Sequence, residues 1–211
     1  MTALTTALAT ADWRRRVFRL YDDVRERAAS ASPEAAHAVW REGRDELFRT
    51  HPASALGRGA RESFAGLAVA PYDPTFRFEA EVDDDGAGRA MDVATGTDGV
   101  VPFRRLGSVL LPGLGKLALW KLGSYGGGLF LPLRDGTSGR AGGAYGGGRY
   151  VLDTVKGAHL GEGRDPGRLV VDLNFAYNPS CAYDEAWACP LPGPDNRLAD
   201  DVPVGELYRE Y

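Results

Sequence analysis

Between residues 75 and 82 the chain reads Thr-Phe-Arg-Phe-Glu-Ala-Glu-Val, and this alternation constrains the fold more than any other stretch. Phe76, Phe78, Ala80 and Val82 fall on one side of an extended chain, and Thr75, Arg77, Glu79 and Glu81 on the other. Residues two apart share a face of a strand, so the pattern predicts a strand with one face in a core and one in water. Asp83-Asp84-Asp85-Gly86 is turn chemistry, and residues 89–93 resume the extended pattern as the return arm of a hairpin. Short runs at 116–122, 129–133, 150–155 and 169–175 are separated by glycine-rich connections. With 28 glycines and 13 prolines the chain is interrupted too often for a helical bundle.

The start of the chain has a different period. Trp13, Val17, Leu20, Tyr21 and Val24 form an apolar stripe at helical spacing. Ser32-Pro33-Glu34 is a second helix start, with a capping hydroxyl, proline in the first turn and an acid at the positive end of the dipole. That helix presents Ala36, Val39, Trp40, Leu47 and Phe48 and should stop near His51-Pro52, because a residue before proline avoids the helical region. The expectation is an α+β, β-rich protein. A helical pair in residues 1–55 docks on a mainly antiparallel, barrel-like or sandwich sheet in residues 56–211.

Composition excludes several classes. A net charge of −4 supplies no basic footprint for nucleic acid, and the short Arg14-Arg15-Arg16 run reads as a solvated helix face. The N-terminal arginines follow a weakly apolar stretch instead of preceding it, the reverse of a secretory signal. The most apolar later window, residues 106–122, is broken by Pro112, Lys116 and Lys121 and cannot span a bilayer. The protein is expected in the cytoplasm, without membrane attachment, where Cys181 and Cys189 stay as thiols.

Chemistry-bearing residue types crowd into residues 172–190, DLNFAYNPSCAYDEAWACP. Carried on through residue 176, the last strand pattern puts Leu169, Val171, Leu173 and Phe175 on one face. Asp172 and Asn174 then sit side by side on the other, facing solvent or a cleft. The cysteines, eight positions apart, lack the spacing of a zinc ribbon, and no metal site is assigned. A nucleophilic Cys181 would need His51 as base and Asp172 to orient it. The glycine triplets at 126–128 and 146–148 do not fit a phosphate-loop pattern, and Gly-x-Ser-x-Gly and His-Glu-x-x-His are absent.

Several blocks occur together in a telling order: FLPLRDGTSG from residue 130, YGGGRY from 145, DLNFAYNPSCAY from 172, CPLP from 189, Asn196, and Gly205-Glu206. In this order they resemble the signature blocks of domain-of-unknown-function family 1684. Upstream, RDELFRTHPASAL, FAGLAV and YDP resemble its actinobacterial, hence bacterial, branch. The resemblance covers nearly the whole chain from Arg44 but implies no activity or cofactor. Ala144, Leu173 and Gly193 depart from the family pattern, and the loop at 140–143 is lengthened.

Asp135, Arg149, Asp172, Asn174, Tyr177, Asn178 and Glu206 match polar positions of these blocks. Two acids, an arginine and amides together predict a pocket for a small polar or anionic ligand, with Asp135, Arg149, Asp172, Asn174, Tyr177 and Asn178 as its contacts. Two alternatives remain: an enzyme on the same pocket, with acid–base chemistry at Asp172 or Glu206 or a nucleophile at Cys181, and a structural or partner-binding protein using the proline-rich C-terminal loop, in which Asp135 or Asp172 simply holds Arg149. Oligomeric state is not readable from the chain.

Overall fold

The computed structural model describes residues 2–95, 99–124 and 126–211. Helix α1 (Ala3–Ser30) and helix α2 (Pro33–Thr50) pack on each other, and Ser32 Oγ caps α2 by accepting from the Ala35 amide at 3.1 Å. A short helix α3 (Arg58–Glu62) follows. The strands are β1 (Arg77–Asp83), β2 (Ala90–Thr95), β3 (Gly99–Leu111), β4 (Gly115–Leu122), β5 (Leu129–Leu133), β6 (Arg149–Asp153) and β7 (Arg168–Asp172). They form one seven-stranded sheet in the order β6-β5-β4-β3-β1-β7, with β2 also on β3, and every pairing is antiparallel. The sheet curls into a half-barrel. The chain beyond β7 bridges back to β6, where Tyr150 and Tyr177 exchange amide-to-carbonyl bonds of 2.8 and 3.0 Å.

The architecture is the α+β, β-rich one expected, and residues 75–82 lie in the predicted setting: Phe76, Phe78, Ala80 and Val82 pack into the main core. Two local expectations fail. First, β1 and β2 are not the two arms of a hairpin. Both pair with the long β3, β2 along its first half and β1 near its end, so they lie one after the other along it. A bulge between Arg105 and Gly107 separates the two regions, and Gly107 is required there because a Cβ would fall 1.9 Å from the Asp83 carbonyl oxygen. Second, β7 ends at Asp172. The Asp172 carboxylate accepts from the Asn174 amide at 3.0 Å and turns the chain into a 3-10 segment, Leu173–Phe175, so the alternation that placed Asp172 beside Asn174 does not extend that far.

The half-barrel encloses Val109, Leu111, Leu117, Leu119, Leu131, Leu133, Val171 and Leu173. Transfer of such side chains from water contributes roughly 1.5–3 kcal/mol each. The helical pair docks through a second cluster in which Leu20, Tyr21, Val24, Ala36 and Trp40 meet Ala158 and Phe175. Trp40 is fully buried, and its Nε1 donates to Tyr21 Oη at 3.0 Å, which satisfies the polar tip of each ring. Among the described residues no helix is long and apolar enough to cross a membrane.

Candidate functional site

The polar residues singled out in the sequence separate into three buried groups. In the first, Arg149 Nη2 meets Asp135 at 2.7 Å, and both side chains are fully buried. Arg149 also donates to the carbonyl oxygens of Val202, at 3.0 Å, and Val204. Asp135 accepts from Thr137 Oγ1 at 2.6 Å and from the Thr137 amide at 2.8 Å. Burial opposes the Asp135 charge, but Arg149 and Thr137 outweigh it and hold the carboxyl below its usual range. This group fastens the C-terminal segment to the sheet.

In the second group Asn174 clamps Asp73 from both sides: its Oδ1 accepts from the Asp73 amide and its Nδ2 donates to the Asp73 carbonyl, each at 2.8 Å. Asp172 accepts from Tyr72 Oη at 3.1 Å, and burial raises its pKa against these hydrogen bonds. These residues tie the 72–73 segment to the end of β7.

The third group centres on Glu206, which is fully buried. It accepts from Arg44 Nη2 at 2.6 Å, from the Asn178 amide at 3.1 Å, and from the Tyr183 hydroxyl. Gly205 sets this carboxylate in place. Its φ is +78°, and a Cβ there would lie 2.7 Å from the Ala176 carbonyl oxygen. That closeness lets the Glu206 amide donate to Ala176 O at 2.8 Å.

This third group borders a small cleft between the helical pair and the sheet, partly open to solvent. Helix α1 supplies Trp13, Val17 and Tyr21, helix α2 supplies Arg44 and Phe48, and the sheet side supplies Tyr150, Lys156, Tyr177, Asn178 and Tyr183. The Arg44 guanidinium lies over the rings of Tyr177, Trp40 and Phe48, 4.9, 5.1 and 5.2 Å from their centroids. Burial works against its charge, and Glu206 more than offsets this, so its pKa is raised. Arg44 Nε is buried and has no hydrogen-bond partner among the described residues. The same holds for Asn178 Oδ1, whose amide is oriented by Nδ2 donating to the Leu207 carbonyl at 3.1 Å. A spare donor and a spare acceptor therefore belong to residues of one cleft, where an unmet hydrogen bond costs about 1–3 kcal/mol. Lys156 lies 3.4 Å from Asp153 and 5.4 Å from the Tyr150 ring centroid. No carboxylate lines the cleft among the described residues. Burial pushes the Tyr21 phenol up to about 12 and those of Tyr150, Tyr177 and Tyr183 well above their usual value, so all four are neutral at physiological pH.

Of the residues expected to contact a ligand, Tyr177 and Asn178 line this cleft; Asp135, Arg149, Asp172 and Asn174 do not. Arg44, Lys156, Trp13 and Tyr21 were missed. Arg44 was legible in principle: it lies four residues after Trp40 and four before Phe48, on the apolar stripe of α2.

Cys181, His51 and Asp172 do not come together as a nucleophilic triad. His51 uses Nε2 on Asp12, at 3.1 Å, and its Nδ1 accepts from the Ala53 amide at 3.1 Å. Asp172 is engaged with Tyr72 and Asn174. Cys181 lies 3.9 Å from Tyr145 Oη, and both cysteines are free thiols. Hydrogen bonding between the two sulfurs raises the Cys181 pKa and lowers that of Cys189 to about 6, so Cys189 is the more acidic sulfur. No group of three or more histidines, cysteines or acids among the described residues is placed to hold a metal ion.

Comparison with known proteins adds a family and a fold relative. No curated protein matches the chain. A solution NMR structure of an uncharacterized protein from Haloarcula marismortui is similar, with 30% identity and a TM-score of 0.58. The match covers 85% of this chain and 96% of that one. The family model of a protein of unknown function, DUF1684, matches residues 62–207, more than half of the chain and the part that holds the sheet, Arg149, Asn178 and Glu206. The chain belongs to the DUF1684 family.

Proposed function

We propose that the cleft between the helical pair and the half-barrel binds a small organic monoanion that carries an N–H or O–H donor close to its charge. One observation carries the reading: Arg44 Nε and Asn178 Oδ1 are both buried and without a partner among the described residues, on residues that line one cleft. An acidic oxygen of the ligand meets Arg44, with Lys156 adding charge, and its donor meets Asn178. The lining supports an anion because its charged residues are cations, and it supports a small, partly planar molecule because six aromatic rings form its walls. The net charge of −4 favours a small ligand over nucleic acid. We place the protein in the cytoplasm, a setting in which free Cys181 and Cys189 are expected.

Isothermal titration with 2-hydroxybutanoate tests the reading. One ligand per chain should bind, and Asn178→Ala, which removes the spare acceptor, should weaken binding at least fivefold. Equal affinity of wild type and variant would refute it.

A further inference from the structure

We infer that the ligand is an amphiphile whose medium-length apolar tail leaves the Arg44–Asn178 cleft and runs outward between α1 and the loop that carries Trp187. This rests on the reading of that cleft as an anion site and names the class of anion. A second cleft, also partly open to solvent, adjoins the first. Trp13, Phe48, Lys156 and Ser180 line both, so the two meet at these four residues. Beyond them the outer cleft is lined by Ala53, Ala55 and Trp187, with Thr10 and Arg14 on the α1 side.

Three observations select this occupant. Trp187 is 40% exposed, an unusually open position for so large a ring, and it stands beside other apolar walls. Among the described residues no acid lines the outer cleft, and its charged residues are Lys156, at the junction, and Arg14. Of the five buried side-chain polar atoms without a partner among the described residues, Arg44 Nε and Asn178 Oδ1 belong to residues of the inner cleft, and the outer cleft adds none. Polar recognition thus lies deep and apolar surface lies outward, the order of a carboxylate head with a hydrocarbon tail. A purely polar metabolite would leave the outer walls unused.

Calorimetric titration of the whole protein with 2-hydroxyalkanoates of increasing chain length, from 2-hydroxybutanoate to 2-hydroxydecanoate at concentrations below micelle formation, tests the inference. Affinity should rise about fourfold for each methylene that enters the outer cleft. Trp187→Ala, a change at an exposed position, should weaken the longer ligands several-fold and leave 2-hydroxybutanoate unchanged. A flat series in which 2-hydroxybutanoate still binds would overturn the tail and leave the anion site standing. A rising series that Trp187→Ala does not alter would also overturn it, since the tail would then lie elsewhere. Failure of every chain length to bind would defeat the anion site and the tail together.

Discussion

Arg44 and Glu206, 162 positions apart in the chain, meet at 2.6 Å with Glu206 fully buried and Arg44 nearly so. The pair joins the second helix to the C-terminal segment, and it leaves one edge of the guanidinium without a partner. Structure and proposed site thus depend on the same arginine. Nη2 holds the frame, while Nε is a buried donor with no partner among the described residues.

Arg44→Ala leaves the Glu206 carboxylate buried without its cation, and the expected destabilisation is about 3–5 kcal/mol. The double variant Arg44→Ala/Glu206→Gln should recover part of that loss, because it removes the stranded charge. Urea denaturation of the wild type, the single variants and the double variant measures the coupling. Additive losses would show that the two residues do not act as a pair.

Arg149→Ala should cost a similar amount, about 3–5 kcal/mol, because Asp135 is then buried and unpaired. It should also loosen the C-terminal segment, since Arg149 holds the carbonyl oxygens of Val202 and Val204. Hydrogen exchange at residues 202–206 should accelerate in the variant. Unchanged exchange and a loss below about 1 kcal/mol would contradict the bracing role of this ion pair.

His37 should make stability fall as pH drops from about 6.5 toward 4. Burial lowers its pKa from 6.5 to about 4, and Nε2 has no partner among the described residues. The unfolded chain takes up this proton below about 6.5, and the folded chain resists it until about 4. Stability therefore suffers no penalty from His37 above that window and loses on the order of 2 kcal/mol across it. His37→Phe keeps a ring against Trp40 and Phe175 and should abolish the part of the slope between pH 6.5 and 5. An identical slope in the variant would assign the effect to other groups.

Cys189 should alkylate before Cys181 at pH 7, because its pKa is lowered to about 6 while that of Cys181 is raised. Peptide mass mapping after brief iodoacetamide treatment gives the order. Earlier labelling of Cys181 would reverse the assignment of the acidic sulfur.

What could be read before the fold was known follows the range of the interactions involved. The strand at Arg77–Asp83 and the Ser32 cap of α2 are set by neighbouring residues, so their patterns were plain. The pairing of β1 and β2 was not, because both lie on β3 and the bulge that divides β3 depends on Gly107 passing close to Asp83. Asn174 was placed in a strand that ends at Asp172: a carboxylate that caps the amide two residues on ends a strand where apolar alternation alone continues it. Tyr177 and Asn178 stood out because they lie in a block crowded with polar side chains. Arg44 lay hidden in a charged helix sequence, and Lys156 followed a run that looked like plain strand; only the docking of the helices brings them to one cleft.

Binding of an anionic ligand at Arg44 and Asn178 can be read residue by residue in an NMR titration of ¹⁵N-labelled protein with 2-hydroxyhexanoate. Saturable shifts, at one ligand per chain, are expected for the Arg44 Nε–H, the Asn178 side-chain amide and the backbone amides of Tyr177 and Asn178. The Asn178→Ala variant should need at least fivefold more ligand to reach the same saturation. Saturable shifts confined to other surfaces, or none at these residues at millimolar ligand, would contradict it.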